Sequence, residues 1–155
     1  MVVISSAELH DAPAILALQR LAYQSEAKLY NDWSLPPLTQ TLESLQDEFA
    51  HSIILKAVAA EQIVGSVRAK AVAGIGEIGR LIVHPDNQRK GIGSALLKRV
   101  EASMPAVLRY ELFTGSKSEA NIRLYHRHGY LITRNRELSP TVSITFMEKS
   151  APGRG

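Results

Sequence analysis

Apolar residues change their spacing along the chain, and each change predicts a different element. Val2 to Ile4 is a short apolar run that predicts a strand. Asp11, a residue able to cap a helix, precedes Ile15, Leu18 and Ala22 at helical spacing. The segment "NDWSLPPLTQ" interrupts this pattern, because Pro36 and Pro37 cannot continue a helix and push the residues before them to extended forms. Thr39 then opens a second helix that aims Leu42, Leu45 and Phe49 at a core. From Ser52 the spacing falls to that of strands. "SIILKAVAA" and "IVGSVRAKAV", around the turn "EQ", predict two antiparallel strands, and "GEIGRLIVH" predicts a third after the Gly74–Gly76 break. A helix carrying Ile92, Leu96 and Val100 ends before Pro105, and "AVLRYELFT" reads as another strand. A last helix starts at the cap signal "SKSEAN" and runs to Gly129; "YLITRNREL" and "TVSITFMEK", joined by "SP", are two closing strands. The order β-α-α-β-β-β-α-β-α-β-β predicts an α/β (α+β) fold, a mixed sheet with helices on its faces.

Composition narrows the reading further. A chain of 155 residues with 45% hydrophobic and 21% charged residues can bury one substantial core. Residues 1–150 are therefore expected to form a single domain, with 151–155 a flexible tail. The net charge of +3 is mild and its cations are spread along the chain, which gives no support to a nucleic-acid partner. No signal peptide and no bilayer-length apolar segment is seen, so no membrane role is expected and a cytoplasmic location is the default. The absence of Cys removes disulfides, thiolate metal sites and a cysteine nucleophile. His126 and His128, two apart on a helix, point in different directions and make a poor metal pair, so no metal is expected.

The candidate chemistry lies in "VHPDNQRKGIGSALLKRV". Gln88, Arg89, Lys90, Gly91 and Gly93 fall just before or within the start of an amphipathic helix. Free backbone N–H groups and positive charge together at a helix N-terminus hold phosphate oxygens, so an anionic cofactor is expected. Two phosphate motifs of unrelated folds fit poorly. The glycines are too few for the dinucleotide fingerprint, and Lys90 precedes Gly91, the wrong order for a Walker loop.

The spacing Gln88-x-x-Gly91-x-Gly93 resembles the pyrophosphate loop of the GNAT superfamily of acyl-CoA-dependent N-acetyltransferases, and "EIGRLIVHPDNQRKGIGSALL" is similar to that family's strand-loop-helix throughout. Further on, "NIRLYHRHGY" resembles the family's Asn-x-x-x-Tyr-x-x-x-Gly-Phe/Tyr element through Asn121, Tyr125, Gly129 and Tyr130. The resemblance implies a mostly antiparallel central sheet and an acetyl-CoA cosubstrate. It places that cosubstrate along Leu81, Ile82, Val83, Gln88, Arg89, Lys90, Gly91, Ile92, Gly93, Ser94 and Asn121, with the strand edge at Leu81–Val83 pairing with the pantetheine arm and donating N–H groups to the oxyanion.

The resemblance also implies the reaction, transfer of an acetyl group to a primary amine, of a small molecule or a protein, by direct attack in a ternary complex. An alkyl amine titrates near ~10.4, so a base helps to supply its neutral form. The family pattern makes Tyr125, on the same helix face as Asn121, the acid that protonates the thiolate. Glu77 is the candidate base; the alternatives are a solvent-facing strand charge, a partner for Arg80, or an ordered water in place of any residue. Tyr30, Trp33 and the two prolines suit an acceptor wall, while Glu26, Asp32 and Glu77 could attract a cationic amine. Val142, Ile144 and Phe146 could serve a homodimer seam or the monomer's own core. A non-catalytic acyl-CoA sensor on the same fold is the competing reading.

Overall fold

The computed structural model describes residues 1–153. Seven strands, β1 (Val3–Ser6), β2 (Ile53–Ala59), β3 (Gln62–Val72), β4 (Ile75–Val83), β5 (Arg109–Gly115), β6 (Leu131–Glu137) and β7 (Ser143–Ser150), form one sheet in the order β1-β2-β3-β4-β5-β7-β6. Every neighbouring pair is antiparallel except β4 and β5. That parallel pair is in register only at Ile75, Gly76 and Glu77 with Arg109, Tyr110 and Glu111. Past Glu77 the two strands have no ladder between them, and the sheet opens as a V.

Helices cover both faces, as the mixed order predicts. On one face α5 (Ile92–Ala102) seats Leu96, Leu97 and Val100, none of them exposed, against Leu55, Val67, Ala69 and Ile78. Burial of each such side chain contributes about 1.5–3 kcal/mol. Helix α6 (Glu119–Arg127) adds Tyr125 to that core. On the other face α1 (Ala12–Ala22) and α4 (Leu42–Glu48) bury Ile15, Leu16 and Leu45 against Ile54.

The first predicted helix is in fact two. Helix α1 stops at Tyr23, where φ −84° and ψ 0° turn the chain into α2 (Gln24–Tyr30). Pro36 then opens a one-turn α3 (Pro36–Thr39) from its first position, where its missing N–H is no loss. The helix expected to open at Thr39 begins one turn later, capped by Thr41, whose hydroxyl accepts the Ser44 N–H at 3.1 Å. Asp11 does not cap α1 with its side chain; its carboxylate accepts the Glu8 N–H and the Lys56 ammonium, both at 2.8 Å. Gly74 makes the break before β4 with φ 81°, whereas Gly76 lies inside the strand, where a Cβ would stand 3.0 Å from Met104 and Tyr110. Of the tail, Ala151 is buried and its N–H donates to the Leu108 carbonyl at 2.9 Å, while residues 154–155 lie outside the described residues.

Candidate active site

The mouth of the V holds a cavity of about 410 Å³. One wall is the last part of β4, Leu81, Ile82 and Val83, on the edge that has lost its β5 partner. Strands that separate leave backbone donors and acceptors unmatched, and such groups seek another partner. The floor is the loop after β4 and the first turn of α5, with Gln88, Arg89, Gly91, Ile92, Gly93 and Ser94. Gly91 holds φ 81° and Arg89 φ 64°, and this left-handed pair turns the chain from strand into helix. No side chain caps α5, so the N–H groups of Ile92, Gly93 and Ser94 keep no acceptor within the helix. They face the cavity with the positive end of the helix dipole behind them. At Gly93 a Cβ would make only ordinary contacts, with Leu124 at 3.5 Å and Val83 at 3.8 Å.

Asn121, on α6, lines the same cavity and donates from Nδ2 to Thr114 at 3.3 Å. Tyr125 is buried one helical turn deeper, behind the lining rather than in it. Among the described residues its hydroxyl has no hydrogen-bond partner. Burial pushes this phenol well above its ordinary range, and neighbouring Tyr23 and Glu26 push the same way. Tyr23 and Glu26 both line the cavity.

Two sequence candidates stand apart from this group. Lys90 is exposed and does not line the cavity. Glu77 is exposed at the vertex of the V, paired in register with Lys70 on β3 and Glu111 on β5, outside the cavity wall. It does not pair with Arg80, which makes no ion pair among the described residues. Trp33, expected as acceptor wall, is 56% exposed, whereas Tyr30 is buried as an anchor. The Tyr30 hydroxyl accepts the Lys117 N–H at 2.7 Å, and Gly115 beneath it leaves no room for a Cβ. Ser118 stands at the N-cap position of α6 but donates its hydroxyl to Glu26 at 2.6 Å. These contacts fasten α2 to the turn between β5 and α6.

Sequence reasoning missed the other side of the site. Arg68 of β3 is 5% exposed and bonds Glu48 at 2.9 Å, Gln40 at 3.3 Å and Gln19. Burial lowers its pKa, Glu48 opposes that, and nearby Arg80 adds to it. Tyr23 is held above its ordinary range by burial while Arg80 pulls it down, so these groups form one cluster. A lone Arg inside the apolar run "IVGSVRAKAV" was the available signal, since a charge in a buried strand must be matched. Histidine supplies one more contact: His128 Nε2 is 3.0 Å from the Ser94 hydroxyl, with its pKa lowered by burial.

A model of the acetyltransferase (GNAT) family matches residues 13–130. The chain is 29% identical over 119 residues to the UPF0157 protein YqkA of Bacillus subtilis (strain 168), covering 77% of this chain and 34% of that one. It thus spans about a third of that curated relative's length. Among solved structures it is similar to the PaiA N-acetyltransferase of Thermoplasma acidophilum in complex with coenzyme A, with TM-score 0.80, 19% identity and coverage of 97% and 99%. The ribosomal-protein-S18-alanine N-acetyltransferase of Escherichia coli gives 0.77 at 20% identity, covering 100% and 97%. The YncA structure from Salmonella typhimurium with its cofactor acetyl-CoA gives 0.77 at 18%, covering 100% and 96%. At such identities the structural likeness is one of fold.

Proposed function

We propose that this chain, which belongs to the acetyltransferase (GNAT) family, is an acyltransferase that moves an acetyl group from acetyl-CoA directly to a primary amine held in the same complex. One convergence supports this most: the unpaired β4 edge, the uncapped N-terminus of α5 and Asn121 of α6 meet on a single cavity. Residues 1–150 act in this reading as one catalytic unit.

The N–H groups of Ile92, Gly93 and Ser94, with Gln88 and Arg89 beside them and Lys90 at the rim, take the pyrophosphate. Leu81, Ile82 and Val83 pair with the amide-bearing arm of the cosubstrate, and a backbone N–H of this edge donates to the developing oxyanion. Asn121 fixes the arm from the α6 side. Tyr125 keeps its proton at neutral pH and donates a hydrogen bond to the departing sulfur. The burial that raises its pKa opposes full ionisation, so hydrogen bonding outweighs complete proton transfer in its contribution. Glu26 draws the ammonium form of the acceptor toward the cavity. Glu77, at the vertex, receives the ammonium proton through water rather than by direct contact.

The test is thermal unfolding with acetyl-CoA, desulfo-CoA, ATP or NAD, followed by thiol release across an amine panel. Stabilisation by a bound ligand grows as RT ln(1 + [L]/Kd), about 2.7 kcal/mol at a hundredfold excess over Kd. The expected result is stabilisation by the coenzyme A derivatives alone, with thiol release for at least one amine. No response to coenzyme A overturns the proposal. Stabilisation without release for any amine turns it into the sensor reading.

A further inference from the structure

Two guanidinium groups lie together on the α1 face of the sheet, and their charge is not balanced within the chain. Arg68 has one carboxylate partner, Glu48, and its Nε is shut off from solvent with no acceptor. Arg80 is half-buried, has no ion pair among the described residues, and its Nε is likewise enclosed and unpartnered. A buried cation without a counter-ion is costly, and a fold retains one where a ligand completes it.

The backbone bends to present this pair. Register moves from Ser66 opposite Ile82 to Arg68 opposite Gly79, so Arg80 and Leu81 together face Val67 in a β-bulge. Arg80 sits there at φ 51°, a conformation that side chains rarely adopt. Bulges re-aim side chains near functional sites, and backbone strain of this kind clusters there. Gly79, opposite Arg68, has no positive φ to explain it, and a Cβ there would meet nothing within 4 Å. Open space therefore lies over Gly79, the register partner of Arg68. Tyr23 links this space to the cavity, lining the cavity while standing close to both arginines.

We propose that Arg68 and Arg80, with the space over Gly79, bind a carboxylate of the acceptor, so that the substrate is a small amine carrying its own carboxyl group. This rests on the acetyltransferase reading above and narrows it. Glu26 lies on the amine side and the arginines on the carboxylate side, with Tyr23 between them. A zwitterionic amino acid matches that order of charges, and a polyamine opposes it.

The experiment uses matched acceptors, a panel of α- and ω-amino acids each beside its amide, with thiol release from acetyl-CoA as one readout. Thermal stabilisation of the protein saturated with coenzyme A is the second. Free amino acids are expected to exceed their amides in kcat/KM by about tenfold to a hundredfold, the range for losing a charge-assisted hydrogen bond. Arg80→Gln erases that preference by slowing the acids and leaving the amides alone; Arg80→Lys restores part of it, and Gly79→Val mimics the loss by filling the space. Acids and amides that react and bind alike in the wild-type protein, or an Arg80→Gln loss equal for both, overturn the proposal, as does a preference for peptides with a remote carboxylate. Coenzyme A binding with no carboxylate preference defeats this inference alone, whereas no response to coenzyme A defeats the acetyltransferase reading beneath it.

Discussion

The two sides of the cavity are built by opposite means. The side proposed for the cofactor is contiguous: Leu81 to Ser94 run as strand, loop and first helical turn, and the groups proposed to work there are backbone N–H. The side proposed for the acceptor is assembled from distant positions, with Tyr23 from the junction of α1 and α2, Glu26 from α2, Arg68 and Arg80 from two strands, and Glu48 from α4. Its working groups are side chains, several buried. A contiguous site serves a cosubstrate shared by many enzymes, because its geometry depends on few neighbours. A dispersed site can change one residue at a time, which suits an acceptor that differs from enzyme to enzyme.

Changes on the two sides should therefore fail differently. The largest effect is expected where they meet: Tyr125→Phe lowers kcat about tenfold to a hundredfold, the loss of one hydrogen bond to a developing charge, while acetyl-CoA still raises the melting temperature. Thiol release measured beside thermal unfolding checks it, and unchanged turnover removes Tyr125 from the chemistry. On the acceptor side, Arg68→Ala strips the partner from Glu48 and Gln19 and should lower unfolding free energy by about 3–5 kcal/mol in urea titrations. Arg89→Ala, exposed on the cofactor side, should stay within about 0.5 kcal/mol of the parent and weaken coenzyme A binding instead. If both arginines proved equally destabilising, the contrast would be lost.

Smaller effects sharpen it. Gly91→Ala places a side chain at φ 81°, which strains the loop by about 1–2 kcal/mol. Titration calorimetry should show coenzyme A binding weakened by about tenfold, with the acceptor's KM unchanged. The smallest effect concerns His128. Burial lowers its pKa, with Glu101 opposing and Lys149, Lys98 and Arg127 assisting, so the folded state binds this proton less readily than the unfolded chain. Its neutral form contributes fully above the ordinary His range, and that contribution falls as pH drops from there to the lowered value, levelling off below. Urea midpoints measured from pH about 8 to about 5 should decline less steeply in His128→Gln.

The same contrast decided what could be read from the sequence. The glycine run and the Asn121–Tyr125 spacing are local, so their periodicity and turn chemistry predicted the elements that meet on the cavity. The succession of strands along the chain followed from the change in apolar spacing. The cap at Asp11 was less legible, because its side chain turned to a long-range partner, Lys56. Nothing in a one-dimensional pattern says that Gln19, Gln40 and Glu48 will surround Arg68. Glu77 carried a different ambiguity, since its place at the vertex depends on where β4 and β5 separate, and strand pairing ends are not written in side-chain alternation.

That vertex has a mechanical consequence. Glu77 and Glu111 stand in register on the last rung before the strands part, so two carboxylates face each other where the split in the sheet ends. Like charges opposed across a ladder repel, and here the repulsion acts as a wedge at the tip of a crack. Arg109, 3.2 Å from Glu111, and Lys70, the other register neighbour of Glu77, blunt it. The last rung before the cleft is thus one where opposed and compensating charges meet.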